Sequence, residues 1–210
     1  QAGLFGQACF QPGSAKNTFG TAGVLVVNAG EKAQLAEGLT SSVGWTVNGV
    51  TDYELEGVVF HSGQTLSWMK DNLRLFESNE EIDYLARLVP DSGGVYVVPA
   101  FGGMCAPHWD RDARAAVVGL TLESTSAHVV RAGMDSMAFQ TADIIDALEA
   151  GGVPVDTLKV DGGAARSDLL CQTRVRRQPS LLSDRTELRR TNLALQDLGR
   201  PCTIQGVRDH

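Results

Sequence analysis

No apolar run in these 210 residues approaches the roughly 20 positions that a membrane-spanning helix requires, so no integral membrane protein is expected. The opening Gln1-Ala-Gly-Leu-Phe has neither a basic segment nor a long apolar core, so no secretory leader is read there. Cysteine is scarce and scattered. Cys9, Cys105, Cys171 and Cys202 show no CxxC spacing, which argues against a zinc module and a disulfide scaffold and fits a reducing cytoplasm. His61, His108, His128 and His210 form no pair at metal-ligand spacing, so each reads as a structural or surface residue and no metal site is assigned. No GKS or GKT follows a glycine-rich loop, and no GxGxxG opens a helix, which removes the P-loop and Rossmann fingerprints.

Positive charge is also short over most of the chain. Residues 1–172 hold 10 Lys/Arg against 21 Asp/Glu, and an acidic body of that kind disfavours nucleic acid as a partner. Residues 173–210 reverse the balance, with 8 Arg, no Lys and 4 Asp/Glu. Those arginines follow neither helical nor strand periodicity.

Two glycine-bearing loops carry the strongest local signals. In Thr157-Leu-Lys-Val-Asp-Gly-Gly-Ala164 a short apolar run ends at Asp161 and passes through Gly162 and Gly163 into a helix start. Paired glycines let a ligand approach the backbone, and the first N–H groups of a helix suit an anion. An ordinary strand-to-helix turn also likes Gly-Gly. About 140 residues upstream, Lys16-Asn-Thr-Phe-Gly-Thr-Ala-Gly23 sets the Thr21 hydroxyl on a tight turn between extended segments, as a hairpin that clasps phosphate would. A plain hairpin turn is the competing reading. The recurrence of the design suggests one cleft built from distant segments.

Periodicity gives an α/β chain. Strands are expected over Gly3–Phe10, Thr18–Asn28, Gly44–Val50 and Tyr53–Phe60, the last two around an Asn48-Gly49 turn. Helices are expected over Gln64–Phe76 and Asn79–Val89, followed by a buried strand Val95–Pro99, a loop from Ala100 to Asp112, and a strand through Val117–Thr121. Thr125 reads as the N-cap of a long helix Ala127–Ala150, with Val130, Met134, Met137, Ala138, Ile144, Ile145 and Leu148 on its core stripe. Val155–Val160 then leads back to the Asp-Gly-Gly loop. One compact domain of about 170 residues fits.

Taken in order, these segments resemble the C-terminal, nucleotide-binding domain of the FGGY carbohydrate kinases, most closely the glycerol-phosphorylating branch. The resemblance covers about residues 1–172. It rests on Gln1-Ala-Gly-Leu-Phe-Gly6, Lys16-Asn-Thr-Phe-Gly-Thr21, Tyr53-Glu-Leu-Glu-Gly57 with Phe60 and Ser62-Gly63, Val98-Pro-Ala-Phe-Gly-Gly103, Ala106-Pro-His-Trp-Asp110 and Asp161-Gly-Gly-Ala164. It implies an actin-like (ribonuclease H-like) ATPase fold, a mixed sheet flanked by helices and incomplete at its C-terminus. It also implies ATP and Mg2+ as cofactors, glycerol or a related polyol as substrate, a cytoplasmic location and a possible homo-oligomer. Within that resemblance Gly20 and Thr21 meet the nucleotide phosphates, and Gly63 and Ser67 lie near the nucleotide. Gly162, Gly163 and Ala164 approach the ribose or α-phosphate, Ser167 lies near the base, and Val24 packs on the polyol carbons. Departures are visible as well. Ser67 stands for a usual Gln and Ser167 for an Asn, which implies weaker adenine contacts, while Val24 stands for a Phe that packs on the polyol carbons and Ala22 for a Gly of the turn.

The family's aspartate base precedes the first of two glutamines, and Gln1 matches the second, so no catalytic residue is assigned and the chain alone is expected to be inactive. Competing expectations are a sister xylulose or gluconate kinase and a non-catalytic actin-like nucleotide-binding module. From Thr173 the family pattern stops and the basic tail 173–210 begins, which suggests a frameshifted or artefactual end. The tail is expected to be irregular or an isolated helix around Asp184–Leu198. Few contacts to the body are expected, leaving apolar surface of the Ala127–Ala150 helix uncovered.

Overall fold

The computed structural model describes residues 1–171 and the backbone of 202–205. Its centre is a six-stranded mixed sheet that runs, from edge to edge, through Thr40–Val47 (β3), Val50–Val59 (β4), Gly23–Gly30 (β2), Ser14–Phe19 (β1), Thr157–Asp161 (β7) and Cys202–Gln205 (β8). β1 (Ser14–Phe19) and β2 (Gly23–Gly30) form an antiparallel hairpin, and β2 pairs with β4 (Val50–Val59). β3 (Thr40–Val47) joins β4 across Asn48-Gly49, both at positive φ (53° and 82°), as a tight hairpin with Asn-Gly at its tip requires. β7 (Thr157–Asp161) runs parallel to β1, pairing Thr18 with Asp161, and so brings two loops distant in sequence to one end of the sheet.

Residue alternation divides the sheet into two faces. Ala15 and Phe19 of β1, Leu25 and Val27 of β2, Leu55 and Val59 of β4, and Leu158 and Val160 of β7 share one buried core with α4 (Ser126–Ala150). All seven residues of the expected α4 stripe are buried. The uncovered apolar surface expected on this helix is therefore absent, because the sheet lies on one side and α2 (Gly63–Asp71), α3 (Glu81–Arg87) and β5 (Tyr96–Val98) pack on the other. At the start of α4 the Thr125 N–H donates to His128 Nδ1 at 3.1 Å, so an imidazole takes the place where a capping box usually has Glu or Gln.

Several expected elements differ. The strand read over Gly3–Phe10 is instead the short helix α1 (Ala2–Gly6), in which only Leu4 is buried. Phe5 N–H donates to Gln1 O and Gln7 N–H to Gly3 O, and Lys159 Nζ holds the Gln7 and Ala8 carbonyls beyond the helix end. A cation there favours the helical turn over extension. α2 stops at Asp71, short of Phe76, because Arg74 adopts positive φ (55°). The strand read as buried over Val95–Pro99 is β5, which exposes Tyr96 and Val98 and, among the described residues, pairs only with β6 (Ala116–Val118). The Asp-Gly-Gly loop enters a 3-10 turn, Gly163–Arg166.

Within the basic tail, β8 (Cys202–Gln205) pairs antiparallel with β7, from Thr157↔Gln205 to Val160↔Cys202. That segment is joined to the body, contrary to the expectation of few contacts, since β7 offers it a row of backbone donors and acceptors. The isolated helix expected around Asp184–Leu198 lies outside the described residues.

Candidate functional site at the end of the sheet

The β1–β2 turn and the start of α2 are joined through the backbone. Gly20 N–H donates to Ala22 O at 3.0 Å within the turn. Ser62 N–H donates to Thr21 O at 3.0 Å, Gly63 N–H to Gly20 O at 3.0 Å, and Gln64 N–H to Thr21 O at 3.2 Å. The closeness requires glycine at 63, since a Cβ there would sit 2.7 Å from Gly20 O. The same bonds consume the donors that a free helix start would offer to an anion.

The opposite wall is built differently. Gly162 stands at φ +92°, where a Cβ would lie 2.2 Å from Phe19 O, so the chain passes against β1 only as glycine. The 3-10 turn that follows uses Ala165 N–H and Ser167 N–H for its own bonds, to Gly162 O and Ala164 O. Among the described residues nothing accepts from the N–H groups of Gly163 and Ala164, and a Cβ on Gly163 would meet nothing within 4 Å.

Between the walls lies a cleft of about 530 Å³, within the usual range for small-molecule sites. Gly20, Thr21, Gly63, Ser67, Gly163, Ala164 and Ser167 all line it, so seven residues expected at one site from three separate segments do come together. Ser67 Oγ donates to Gly63 O at 3.3 Å, and Ser167 Oγ accepts from Leu170 N–H at 3.2 Å. Phe19, Leu66, Met134 and Met137 supply an apolar floor. Two expected residues lie elsewhere. Gly162 sits behind the wall, against Phe19. Val24 packs with Leu4, Cys9 and Val26 on the α1 face of the sheet, away from the cleft.

Sequence reasoning missed Gln64, Asn79, Glu80, Asp83 and Arg166, which also line the cleft. Gln64 follows Gly63, a signal that was available. Asn79–Asp83 carry no local mark, because only the packing of α3 on α4 brings them to the rim. The Glu80 carboxyl is held below its ordinary range by its own backbone N–H and by the Ser78 hydroxyl, and Arg166 lines the same cleft with the opposite charge.

Comparison with known proteins identifies the family and the fold. The family described as "FGGY family of carbohydrate kinases, C-terminal domain" matches residues 15–175. A glycerol kinase of Halorhodospira halophila is 48% identical over 189 residues, covering 89% of this chain and 36% of that protein. Glycerol kinase 2 of Thermotoga maritima is 46% identical over 174 residues, 82% of this chain and 35% of the relative. Among solved structures, a Plasmodium falciparum glycerol kinase with ADP superposes with a TM-score of 0.78 at 33% identity, covering 83% of this chain and 35% of that one. A Lactobacillus acidophilus xylulose kinase, 22% identical with a TM-score of 0.71 over 82% of this chain and 35% of its own, shares the fold. The chain thus spans about a third of the length of the relatives it matches, and it belongs to the FGGY family of carbohydrate kinases, as a C-terminal domain.

Proposed function

We propose that this chain is the nucleotide-binding part of an ATP-dependent kinase that transfers the γ-phosphoryl group of ATP to a hydroxyl of glycerol. The observation that carries the reading is the cleft with Gly163 and Ala164 N–H groups unspent on one wall and the Gly20-Thr21 turn on the other. Backbone N–H groups fixed at a helical start suit a phosphate chain or ribose oxygen, and the Thr21 hydroxyl adds a donor opposite them. In this reading Gly20 and Thr21 meet the phosphates. Gly63 and Ser67 flank the nucleotide from α2, while Gly163, Ala164 and Ser167 hold its ribose and base side. Gly162 acts from behind, by allowing the loop to lie on β1. The chain's contribution to phosphoryl transfer is to bind and orient ATP, since such transfer depends mainly on positioning and electrostatic stabilisation.

The fit to the expected cofactors is uneven. The cleft volume and the free N–H groups suit a nucleotide. Among the described residues no three His, Cys, Asp or Glu side chains come together to hold a metal ion, so no Mg2+ ligands are assigned to them. Val24, on the α1 face, is offered as a contact for the polyol carbons. The composition change after 172 supports a boundary there between the kinase domain and the basic tail 173–210. Buried thiols at Cys9, Cys105 and Cys171 suit the cytoplasm, where ATP is supplied. A homo-oligomer of the longer protein is part of the same reading.

The test is calorimetric titration of the chain with ADP, together with coupled detection of ADP release in the presence of glycerol, xylulose or gluconate. Saturable ADP binding without turnover on any of the three is expected. Absence of ADP binding at millimolar nucleotide overturns the site, and turnover on xylulose or gluconate by the longer protein, without glycerol, overturns the substrate.

A further inference from the structure

A hydrogen-bond chain beside the cleft gives one of its lining side chains, Gln64, a fixed polarity. Gly102 N–H, in the loop after β5, points at His61 Nε2 at 3.1 Å. A backbone N–H only donates, so Nε2 is the acceptor and the proton of the neutral ring resides on Nδ1. Nδ1 lies 3.0 Å from Gln64 Oε1 and donates to it. The Gln64 carboxamide is thereby oriented, and its NH2 group is left with two donors and no acceptor among the described residues. The imidazole is held by more than hydrogen bonds, since it stands edge-on to Phe101, with ring centroids 5.4 Å apart, and next to Phe60 at 6.3 Å.

Gln64 is solvent-exposed and lines the cleft, and its backbone N–H is bonded to Thr21 O. It therefore stands beside the turn assigned above to the phosphates. The first N–H groups of α2 are spent on carbonyls of that turn, so this helix start offers an anion no backbone donors. A side-chain NH2 aimed from the same point supplies the donor that the backbone does not.

We propose that Gln64 is a nucleotide-binding residue whose amide NH2 donates to an oxygen of the phosphate chain, and that His61, anchored by Gly102, is the positioning residue that aims it. This rests on the reading of the cleft as a nucleotide site. The loop after β5 is thereby tied to nucleotide affinity although it contributes no contact to the ligand itself.

The experiment is a double-mutant cycle on the 210-residue chain, with ADP and adenosine as probes and thermal melts as a check on folding. Gln64→Ala should weaken ADP about 10-fold, and Gln64→Glu, which sets a carboxylate against phosphate, about 100-fold. His61→Phe should cost about 10-fold with Gln64 present and nothing further with Gln64→Ala, which a merely structural role would not produce. Adenosine binding should stay within about two-fold in every variant, because it lacks the phosphate acceptor. Wild-type ADP affinity in Gln64→Glu overturns the proposal, as do equal losses for adenosine or additive effects of the two sites. Gln64→Glu alone decides it should His61→Phe lose its fold. Loss of ADP binding in Gly163→Val with none in Gln64→Glu would leave the nucleotide site standing and remove Gln64 from it. Failure of the wild-type chain to bind ADP removes both.

Discussion

The two faces of the central sheet are built from the same strands and differ in how many polar groups they hold. Toward α4 the alternate residues are almost wholly apolar, and the polar exception Asn17 is buried with its Nδ2 donating to Thr141 Oγ1 at 3.2 Å and its Oδ1 without a hydrogen-bond partner among the described residues. Toward α1 the same strands present Lys16, Thr18, Glu54, Lys159 and Asp161 around a three-residue apolar cluster of Leu4, Cys9 and Val26. There Gln7 Nε2 donates to Asp161 Oδ2, yet Gln7 Oε1, Asp161 Oδ1 and Glu54 Oε2 are buried without a hydrogen-bond partner among the described residues. Phe5, Phe10 and Trp45 form an edge-to-face trio at the margin of that face, with centroids 5.0–6.0 Å apart and both phenylalanines nearly half exposed. The α4 face holds the fold together, and the α1 face is organised by charge. The cleft opens where the strands end, floored by Met134 and Met137 from the apolar side.

The strongest test of this division lies at the junction between β1 and β7. Gly162→Val forces a branched Cβ to within 2.2 Å of Phe19 O at a φ of +92°, and neither backbone can yield without breaking the β1–β7 pairing. The expected cost is on the order of 4 kcal/mol, which a shift in the urea midpoint would report. Stability equal to wild type would mean that the two strands are not held as described.

Next in size is a pair of truncations, one on each side. Ile144 is 1% exposed and sits over Gly57 in the middle of the α4 face. Ile144→Ala should cost about 2–5 kcal/mol. Phe10, 47% exposed, should cost less than about 1.5 kcal/mol as Phe10→Ala, since it loses mainly its aromatic edge contacts. Equal losses in chemical denaturation would erase the distinction between the faces.

How far the sequence exposed this arrangement depends on the period of each signal. The α4 stripe, with its 3.6-residue spacing, was legible residue by residue, and so were β4 and β7; β1 was not, because the strand read over Thr18–Asn28 runs through the Gly20–Ala22 turn that separates Ser14–Phe19 from Gly23–Gly30. The Asn48-Gly49 turn was legible from turn chemistry alone. Ala2–Gly6 was not, since five residues with one buried side chain carry no periodicity, and the carbonyls just past the helix end are held by Lys159, about 150 positions away. Seven cleft residues were recognisable through motifs on the backbone-joined walls. Asn79, Glu80 and Asp83 were not, because the packing of a separate helix brings them to the rim. Val24, read as a polyol contact on motif position, lies by strand parity on the α1 face, a placement no local signal announced.

A smaller effect separates binding from stability at the cleft wall. Nothing lies within 4 Å of a Cβ on Gly163, so Gly163→Val should leave the urea midpoint within about 0.5 kcal/mol of wild type. Its side chain would project into the space beside the Gly163 and Ala164 N–H groups and weaken ADP about 10-fold or more by isothermal titration. A large loss of stability with unchanged ADP affinity would reverse the roles of Gly162 and Gly163.

The smallest expected effect is a stability difference on the α1 face that fades as pH rises. Burial pushes the Lys16 ammonium below its ordinary range, against the opposing pull of Asp161, Glu56 and Glu54, and its Nζ donates to Thr18 Oγ1 and Val24 O. Because the folded state holds this proton less tightly than the unfolded chain, Lys16 detracts from stability at neutral pH. That deficit is relieved as pH rises from the lowered folded value toward 10.5. Cys9 works in the opposite direction. Burial raises its thiol above 9.0, so deprotonation in the unfolded chain draws stability down as pH passes that value. The two overlap, and wild type alone would show only their balance. Subtracting Lys16→Met isolates the lysine, with Cys9 common to both proteins. Lys16→Met should be the more stable at pH 7 and lose that advantage progressively toward pH 10.5, as followed by urea unfolding at stepped pH. An advantage that grows with pH would mean that the carboxylates, not burial, govern this lysine.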